Sequence, residues 1–549
     1  MNKKIRTLLL SVLILVALIA ALVTVALWNG SGGLLDFVSG QFPSEPRQLD
    51  SAISQNGGKG TPYAVDVTVD ATRTIGVVSP EYLSFSIDAS QVTGGKWWNP
   101  SGAGQEMGSG TVHAPLFDFN RSRLDLLTQA LSPAYLRIGG SESDKVYYNL
   151  QADGSVSSPP AGYQSVLTRA QWDALNAFAV RNNLQVVFTL NAGPGTRQTS
   201  PGWNGKNAAE LIAYTAQQGY PVKVWELGNE LNIFWFVHGF KAQISTSQYH
   251  TDLQAARDLI NKTMPQARLG GQGSAIWPVL GEPLSLFYGF LPAYLKQSGS
   301  LVDQISWHYY PQQSRRGPIA SRRAYPSRLL DPKNLDEAGV WAERMRAWRD
   351  AYAPGKPIWL GETGNAQFGG EPGLSDVYLS GLWWLDELGL MATKDTQVVV
   401  RQTLSGLDYG MIDDGTLAPR PDYWNSLLWK RLMGTKVFQV KVTGENATRL
   451  RAYAQSSPTA DGTVTVLLIN IDPQKNASVH LNGLANQAAR IYEITSPDIF
   501  GQGVQINGQK VEIGPDGQLP DLVDMGRSMP AGSGIIIHPL SYTFIQLLP

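Results

Sequence analysis

The sequence predicts an α/β fold, a (β/α)8 TIM barrel with an appended antiparallel β-sandwich. Two observations indicate this architecture. Between residues 82 and 436, short apolar runs alternate with segments of helical periodicity, as in parallel strands joined by helices. In residues 437–549, apolar strands are separated by turn residues alone. A further strand-like region at 63–81 precedes the barrel, and we expect it to join the β-sandwich.

Eight apolar runs supply the predicted barrel strands, and helical segments fall between them. The strand segments are 82–87, 134–139, 184–191, 222–229, 267–272, 303–310, 357–362 and 397–405. The clearest helical segments are 169–183, 246–262, 335–352 and 422–434. The sandwich strands are predicted at 436–443, 448–455, 462–471, 477–481, 490–495 and 541–548.

The N-terminus predicts export. Lys3, Lys4 and Arg6 precede 21 uncharged residues, from Leu8 to Trp28. About 20 apolar residues are needed to span a bilayer, whereas a secretory signal has an apolar core of about 7–15 residues. Residues 1–28 are therefore predicted to be a membrane anchor with its basic end in the cytoplasm, or else a cleaved signal peptide on a secreted protein. Residues 29–62 have the composition of a linker or stalk.

Composition excludes several classes of function. The chain has 44 basic and 45 acidic residues and a net charge of −1, so no overall field attracts nucleic acid. It contains no cysteine, which excludes disulfides, thiolate nucleophiles and cysteine-bound metals. We expect no cofactor, no metal ion and no nucleic-acid partner. The sequence does not indicate an oligomeric state.

Two predicted barrel strands end in a glutamate. "VWELGNE" (224–230) ends the fourth strand, and "WLGET" (359–363) ends the seventh. The active site of a TIM barrel lies at the C-terminal ends of its strands, so Glu230 and Glu362 should face each other across the mouth. Retaining glycosidases use such a pair, about 5–5.5 Å apart, as nucleophile and acid/base. Asn229 would then contact the 2-hydroxyl of the sugar.

Glu226 lies lower in the same strand. Because it falls inside the barrel rather than at its mouth, we interpret it as a structural carboxylate. Its predicted partner is a buried arginine, either Arg137 or Arg401.

Longer segments carry a resemblance to a known family. "LSPAYLRIGGSESD" (131–144), "WHYY" (307–310), "GGEPGLSDVYLSGLWWLDELG" (369–389) and "PRPDYWNSLLWKRLMGTKV" (419–437) resemble the heparanase and β-glucuronidase family of glycoside hydrolases. Together with the two glutamate motifs, the resemblance covers nearly the whole chain after the N-terminal segment. It implies a retaining enzyme that cleaves β-linked glucuronic acid in acidic polysaccharides or oligosaccharides by double displacement.

The resemblance also implies individual roles. Glu230 becomes the acid/base, Glu362 the nucleophile and Tyr310 the group that orients the nucleophile. His308 would lie below Tyr310 in a structural role. The substrate-binding residues implied near the cleaved sugar are Asp88, Ser141, Gly369, Gly370 and Tyr409. Of these, Tyr409 and the two glycine amides would hold the glucuronate carboxylate, and Asp88 could alternatively cap a turn.

Three features depart from the family pattern. Phe368 replaces the first glycine of a triplet and is expected to narrow the pocket. Glu142 stands where animal heparanases have a lysine, which disfavours tight binding of a sulfated sugar there. The segment between Tyr147 and Leu167 is short, so we expect no excised linker.

The loop after the sixth strand is basic. It contains Arg315, Arg316, Arg322 and Arg323, and no acidic residue occurs from Gln304 to Leu330. The loop is either a solvated charge run or a basic rim that holds an acidic polysaccharide.

Two other functions stay open from the sequence. One is a retaining barrel glycosidase for a neutral sugar, such as an arabinofuranosidase or xylosidase. The other is a surface protein that binds polysaccharide without catalysis. The sequence does not distinguish exo from endo action.

Overall fold

The computed structural model describes residues 58, 60–97, 112–152, 158–277, 280–281, 290–315, 317, 322–458, 462–483 and 487–548. The predicted membrane segment at 1–28, most of the stalk, and Arg316 lie outside the described residues. Within the described part of the chain, no helix is both long enough and apolar enough to cross a membrane.

The predicted TIM barrel is confirmed. Its parallel strands are Leu83–Asp88, Ala134–Gly139, Leu184–Leu190, Val222–Leu227, Arg268–Gly270, Ile305–Tyr309, Ile358–Thr363 and Thr396–Arg401. They pair in chain order, and the eighth strand pairs with the first through Val399 and Leu83. All eight strands therefore direct their C-terminal ends to one mouth.

The fifth strand differs from the single run predicted at 267–272. Arg268–Gly270 pairs with the fourth strand, and a second piece, Ser274–Trp277, pairs with the sixth. A single bridge between Gly270 and Gln304 also links the fifth and sixth strands. Gly273 lies in the break, where an added Cβ would come within 2.0 Å of Nε2 of His308. The break thus makes room for a ring from the neighbouring strand.

Helices surround the barrel, and several begin with strong caps. Thr168 and Gln171 form a capping box at the start of Arg169–Arg181, and Asp331 caps the helix that begins at Pro332. The longer helices are Ser122–Ala130, Arg169–Arg181, Lys206–Gln218, Thr246–Thr263, Phe290–Ser298, Pro332–Tyr352, Ser380–Ala392 and Pro421–Leu432. Short helical turns at the mouth include Ala89–Thr93, Ser141–Lys145, Leu231–Ile233, Phe234–Val237 and Phe240–Ala242.

The second domain is a mainly antiparallel sheet with its own core. Its longer strands are Tyr63–Val77, Lys436–Gly444, Leu450–Ser456, Val464–Asn470, Ala477–Asn482, Ala489–Thr495 and Ser541–Leu547. Tyr63–Val77 pairs antiparallel with Lys436–Gly444 and parallel with Ala477–Asn482. The chain therefore enters this sheet both before and after the barrel. Short strands not predicted from the sequence are Gln505–Ile506, Gln509–Lys510, Arg527–Met529 and Ile535–Ile537.

The sheet packs against the last two barrel helices. Strand Val464–Asn470 is buried on both faces, with Val466 in the core of the sheet and Leu467 in the cluster shared with the barrel. The Tyr542 hydroxyl donates to Asn425 at 2.8 Å, and the Tyr542 ring stacks on Tyr378 at 5.4 Å. The contacts between the sheet and the barrel are thus both polar and apolar, and they lie on the outer side of the barrel wall.

Candidate active site

Glu230 lies just beyond the fourth strand in a constrained turn. Its backbone is left-handed, with φ +52°, which is uncommon for glutamate. The residues that follow hold this turn in place. The Leu231 N–H donates to Gln272 at 3.0 Å, and the Asn232 amide exchanges two 3.0 Å hydrogen bonds with the backbone of Ala275. The fifth strand thereby fixes the buried Glu230 carboxylate at the mouth.

Glu362 lies within the seventh strand, and both of its carboxylate oxygens accept hydrogen bonds. The Tyr310 hydroxyl donates to Oε1 at 2.7 Å, and Nη1 of Arg137 donates to Oε2 at 2.8 Å. Tyr310 follows the sixth strand, and Arg137 belongs to the second. Two other strands therefore orient this one carboxylate.

The two glutamates approach each other around His308. One carboxylate oxygen of Glu230, one of Glu362 and a ring nitrogen of His308 all lie within 4.8 Å of one another. Nδ1 of His308 is 2.9 Å from Oε1 of Glu230 and 3.8 Å from Oε2 of Glu362. The structure thus brings together the pair that the strand-end positions predicted.

The pair has opposite pKa shifts. Burial raises the pKa of Glu230; the hydrogen bond from His308 opposes this rise, and the charge of Glu362 adds to it. Burial also acts to raise the pKa of Glu362, but the charges of His308 and Arg137 and the bond from Tyr310 outweigh it, so the pKa falls below its usual range. One carboxyl is therefore poised to carry a proton while the other is ionised.

Arg137 ties the site to the barrel interior. Its guanidinium donates to Glu226 at 2.9 Å, to Glu362 at 2.8 Å and to Oδ1 of Asn229 at 2.9 Å. Of the two arginines considered as partners of Glu226, the structure selects Arg137. Arg401 instead pairs with Asp422 at 2.9 Å. Sequence reasoning missed that Arg137 also binds Glu362 and Asn229, because these partners lie on other strands or directly after them, far from Arg137 along the chain.

The structure places His308 closer to the two glutamates than its predicted position below Tyr310 implies. Its ring is fully buried and lies between the two carboxylates rather than only below Tyr310. The space left by Gly273 accommodates Nε2. The available signals were Gly273, directly after the predicted fifth strand, and a histidine within the apolar sixth strand.

Asp144 is a further buried carboxylate that sequence reasoning did not single out. It accepts hydrogen bonds from the N–H groups of Ala192 at 2.8 Å and Asn229 at 2.9 Å. Burial raises its pKa to about 7, against the effect of these two bonds. Asn229 is thus held at its backbone by Asp144 and at its side chain by Arg137.

Asp88 and Ser141 lie on adjoining segments of the mouth. Asp88 caps the helix Ala89–Thr93, since its Oδ1 accepts from the Ser90 N–H at 2.9 Å and the Ser90 hydroxyl at 2.6 Å. Its Oδ2 faces Gly140, where an added Cβ would come within 2.4 Å. Ser141 follows that glycine. Asp88 therefore caps a helical turn, which is the alternative role predicted for it, and capping uses one of its two carboxylate oxygens.

The Gly369–Gly370 pair and Tyr409 come together as a unit. The Gly369 carbonyl accepts from the N–H groups of Asp408 at 3.0 Å and Tyr409 at 3.3 Å. A Cβ on Gly370 would lie 2.6 Å from the Tyr409 nitrogen. Phe368 has a φ of +67°, and its buried ring packs in one cluster with Tyr310 and Tyr409. Its ring therefore forms part of the pocket wall.

The arginines of the loop after the sixth strand (the arginine loop) are less available for substrate binding than the sequence predicts. Arg322 donates to Asn334 at 2.7 Å and Glu337 at 2.5 Å, with its side chain 11% exposed. Nε of Arg315 donates to Glu371 at 2.8 Å, and Arg323 donates to the Arg315 carbonyl at 3.1 Å. The loop itself has no acidic residue, so the carboxylates that pair with Arg315 and Arg322 come from other segments of the chain. Arg322 is held in a part-buried pair with Glu337, and its place in a substrate-binding rim stays a prediction.

Glu142, at the other side of the mouth, is also paired. Its carboxylate accepts from Nζ of Lys145 at 2.5 Å, three residues along the same turn. Glu142, the acidic residue that departs from the family pattern, thus has its charge neutralised by Lys145 in the same turn.

Among the described residues, one group could present three ligand atoms to a metal ion, and it consists of Glu230, His308 and Glu362. Both oxygens of Glu362 already accept hydrogen bonds, from Tyr310 and from the cationic Arg137. A guanidinium at that position supplies the positive charge that a metal would otherwise bring. The donor set therefore suits a carboxylate pair better than a metal centre.

Comparisons with known proteins show the family to which this chain belongs. The family model described as "Glycosyl hydrolase family 79, N-terminal domain" matches residues 64–389. Heparanase from Bos taurus is 30% identical over 88% of this chain and 91% of that protein. "Inactive heparanase-2" from Homo sapiens is 30% identical over 69% of this chain and 64% of that protein. The structure of an arabinofuranosidase from Xanthomonas axonopodis pv. citri has a TM-score of 0.63 at 15% identity, covers 88% of this chain and 100% of that one, and shows the fold alone.

Proposed function

Since this chain belongs to glycosyl hydrolase family 79, and is therefore a glycoside hydrolase, we propose that it cleaves β-linked glucuronic acid with retention of configuration. Its proposed substrates include the acidic polysaccharides and oligosaccharides predicted from the sequence. The observation that carries the proposal is a distance: a carboxylate oxygen of Glu230 and one of Glu362 are at most 4.8 Å apart. Retaining enzymes place these groups about 5–5.5 Å apart, whereas inverting enzymes leave about 6.5–9.5 Å for a water molecule.

In the first step Glu362 attacks the anomeric carbon. Tyr310 and Arg137 keep its carboxylate ionised and fix its direction. The C–O bond to the leaving group breaks as Glu230 transfers its proton to the leaving oxygen. The product of this step is a glycosyl ester on Glu362.

In the second step Glu230 acts as the base. Esterification removes the negative charge of Glu362, and with it one of the causes that raise the pKa of Glu230. Glu230 is then able to take a proton from water, which attacks the anomeric carbon and releases Glu362. His308, 2.9 Å from Glu230, holds the carboxyl in position through both steps.

Specificity for glucuronate rests on Tyr409 and the glycine pair. A phenol and backbone N–H groups can bind a carboxylate without a cation. In support, the backbone of Gly370 lies close to the backbone nitrogen of Tyr409, so the two segments meet at one place. Oδ1 of Asn229 accepts from Arg137, which leaves its Nδ2 to donate to the sugar 2-hydroxyl.

The test is hydrolysis of nitrophenyl glycosides by the purified protein. We expect turnover of the β-glucuronide but not of the xyloside or arabinoside, with the β-anomer as the first product in NMR spectra. Tyr409→Phe should lower kcat/KM for the glucuronide about ten- to a hundredfold, because one bond to a charged group contributes roughly 1.5–3 kcal/mol.

Each alternative has its own result. An α-anomer as first product would contradict the retaining mechanism. Turnover of the arabinoside or xyloside alone would favour a neutral-sugar enzyme. Binding of polysaccharide without any turnover would indicate a non-catalytic protein, as the name of the human relative states for that protein.

A further inference from the structure

A single arginine holds the segment that carries Tyr409. Nη1 of Arg420 donates to the carbonyl oxygens of Leu407 at 2.7 Å, Asp408 at 3.2 Å and Gly410 at 3.1 Å. Arg420 is itself buried. These carbonyls lie on both sides of Tyr409 along the chain, so one guanidinium fixes the backbone from which the phenol extends.

The two peptide groups that precede Tyr409 are each held at both ends. Their carbonyl oxygens, those of Leu407 and Asp408, accept from Arg420. Their N–H groups, those of Asp408 and Tyr409, donate to the Gly369 carbonyl at 3.0 and 3.3 Å. Leu407 has a φ of +56°, a left-handed conformation that is uncommon for leucine and persists only where the surroundings enforce it. Arg420 and Gly369 together supply that enforcement.

The position of Arg420 in the chain does not by itself explain an arginine. Arg420 is the N-cap of the helix Pro421–Leu432, and its side chain makes no capping hydrogen bond. An N-cap side chain has to accept a hydrogen bond, and a guanidinium has no acceptor. Instead, Nη2 pairs with Asp413 at 3.2 Å, and the backbone N–H of Arg420 donates to the Met411 carbonyl at 2.9 Å. The guanidinium therefore serves the segment around Tyr409 rather than the helix.

The Tyr409 hydroxyl is also oriented. Nε2 of Gln402 donates to the Tyr409 oxygen at 3.4 Å. Burial raises the pKa of the Tyr409 phenol, so the phenol stays protonated. An oxygen that accepts from Gln402 directs its own O–H elsewhere, as a donor to an anion would require.

We propose that Arg420 sets the preference for an acidic sugar, as a positioning residue that acts through Tyr409. Arg420 does not touch the sugar. It keeps the Tyr409 hydroxyl in place before the carboxylate arrives, so that binding does not have to order this segment. The inference rests on the proposed function, because Tyr409 is the carboxylate contact in that proposal.

The experiment is a double-mutant cycle on the full chain. Arg420→Met removes the donors and keeps an apolar stem, and it is made in the wild type and in Tyr409→Phe. Arg420→Lys is the conservative variant, because an ammonium group can still donate to some of the three carbonyls. The matched control is Arg257→Met, since Arg257 also donates to a backbone carbonyl and an aspartate, at Leu301 and Asp303. Both of these partners precede the sixth strand, at the end of the barrel opposite the mouth.

We expect Arg420→Met to raise KM for nitrophenyl β-glucuronide roughly 3- to 30-fold, as for other residues coupled in one network. The change in kcat should be smaller, because the carboxylate is bound before the chemical step as well as during it. Arg420→Lys should lose less. In Tyr409→Phe the same substitution should have almost no further effect. KM for nitrophenyl β-glucoside, which lacks the carboxylate, should not change, and Arg257→Met should lower thermal stability without changing either KM.

Three results would overturn the proposal. The first is an unchanged KM for the glucuronide in Arg420→Met. The second is an equal loss in the wild-type and Tyr409→Phe backgrounds, and the third is an equal loss on the glucuronide and the glucoside. Either of the last two would mean that Arg420 supports the barrel in general rather than Tyr409. In all three cases the wild type still hydrolyses the glucuronide, so the proposed function stands.

Two measurements test the positioning without turnover. Hydrogen exchange followed by mass spectrometry should be faster across residues 405–412 in Arg420→Met. Binding of free glucuronic acid, measured by calorimetry, should weaken by about the factor found for KM. Unchanged exchange or unchanged affinity would contradict the positioning role. If the wild type hydrolyses no glucuronide but binds glucuronic acid in an Arg420-dependent way, the proposed function fails and the positioning role stands; if it neither hydrolyses nor binds, both fail.

Discussion

Two charged regions at the barrel mouth were predicted from the sequence, and they differ in how their charges are satisfied. In the carboxylate pocket, Glu230 and Glu362 are buried, and their partners come from other barrel strands or follow directly from them. In the arginine loop, Arg315 and Arg322 are partly exposed and take Glu371 and Glu337 from distant segments. Barrel topology forces strand-end residues to converge. A loop residue instead takes its partner from whichever segment packs against it.

Removal of the nucleophile should have the largest effect. Glu362→Ala should lower kcat on the order of 10⁵–10⁶-fold, as for other covalent nucleophiles, because no group remains to form the glycosyl ester. The measurement is steady-state hydrolysis of nitrophenyl glucuronide. Glu362→Gln is the control for folding, and its thermal unfolding should stay close to that of the wild type. Retained activity in either variant would place the nucleophile elsewhere.

Glu230→Ala should have a smaller effect that depends on the leaving group. General acid–base catalysis contributes about 10²–10⁴-fold, so saccharide substrates should lose this much and nitrophenyl glucuronide less. Azide should restore turnover of the aryl substrate and yield a β-azide, since a small anion replaces the water that Glu230 activates. The product is identified by NMR. An α-azide, or no rescue at any azide concentration, would contradict the assignment of Glu230.

Glu226→Gln should affect folding more than chemistry. Loss of one partner from a buried ion pair costs about 3–5 kcal/mol of unfolding free energy. Arg137 keeps Glu362 as a second acidic partner, so we expect a value near the lower end. Asp422→Asn is the matched control, because Arg401 bonds to Asp422 in the same barrel and should lose more stability. Urea denaturation measures both. A fully stable but inactive Glu226→Gln would contradict the structural role.

The pH profile should separate the two carboxylates. Activity rises as Glu362 ionises, at a pKa below its usual range, and falls as Glu230 loses its proton, at a pKa above its usual range. Tyr310→Phe removes a bond to ionised Glu362 and should move the acidic limb up by roughly one to two pH units, while the basic limb stays. Tyr309→Phe is the control, since the buried Tyr309 hydroxyl has no hydrogen-bond partner among the described residues. A shift of the basic limb instead would reverse the two roles.

The arginine loop should give the smallest effect. Arg315→Gln together with Arg323→Gln should raise KM for a glycosaminoglycan a few-fold, since exposed ion pairs contribute about 0.2–1 kcal/mol, and added salt should abolish the difference. The aryl glucuronide should not change. Arg322→Gln should instead lower stability without changing either KM. Equal losses on both substrates would mean that the loop has a structural role only.

Much of the fold follows from local patterns in the sequence. The apolar runs and their helical partners predicted all eight barrel strands, because alternation and periodicity are properties of a few consecutive residues. Glu230 and Glu362 were located the same way, as polar residues at the ends of apolar strands, whereas Tyr310 was implied by the family resemblance. The break in the fifth strand was missed, since it lies where Gly273 meets a ring from the sixth strand, and no local pattern marks that contact.

The sequence by itself determined which residues reach the mouth of the barrel, because a strand and its end are encoded locally. The tertiary structure alone decided what those residues touch. It gave Arg137 three partners, placed His308 between the two carboxylates, and supplied Glu337 to Arg322. A buried charge is stabilised by groups that are near in space and far along the chain. Those groups are defined only when the barrel closes.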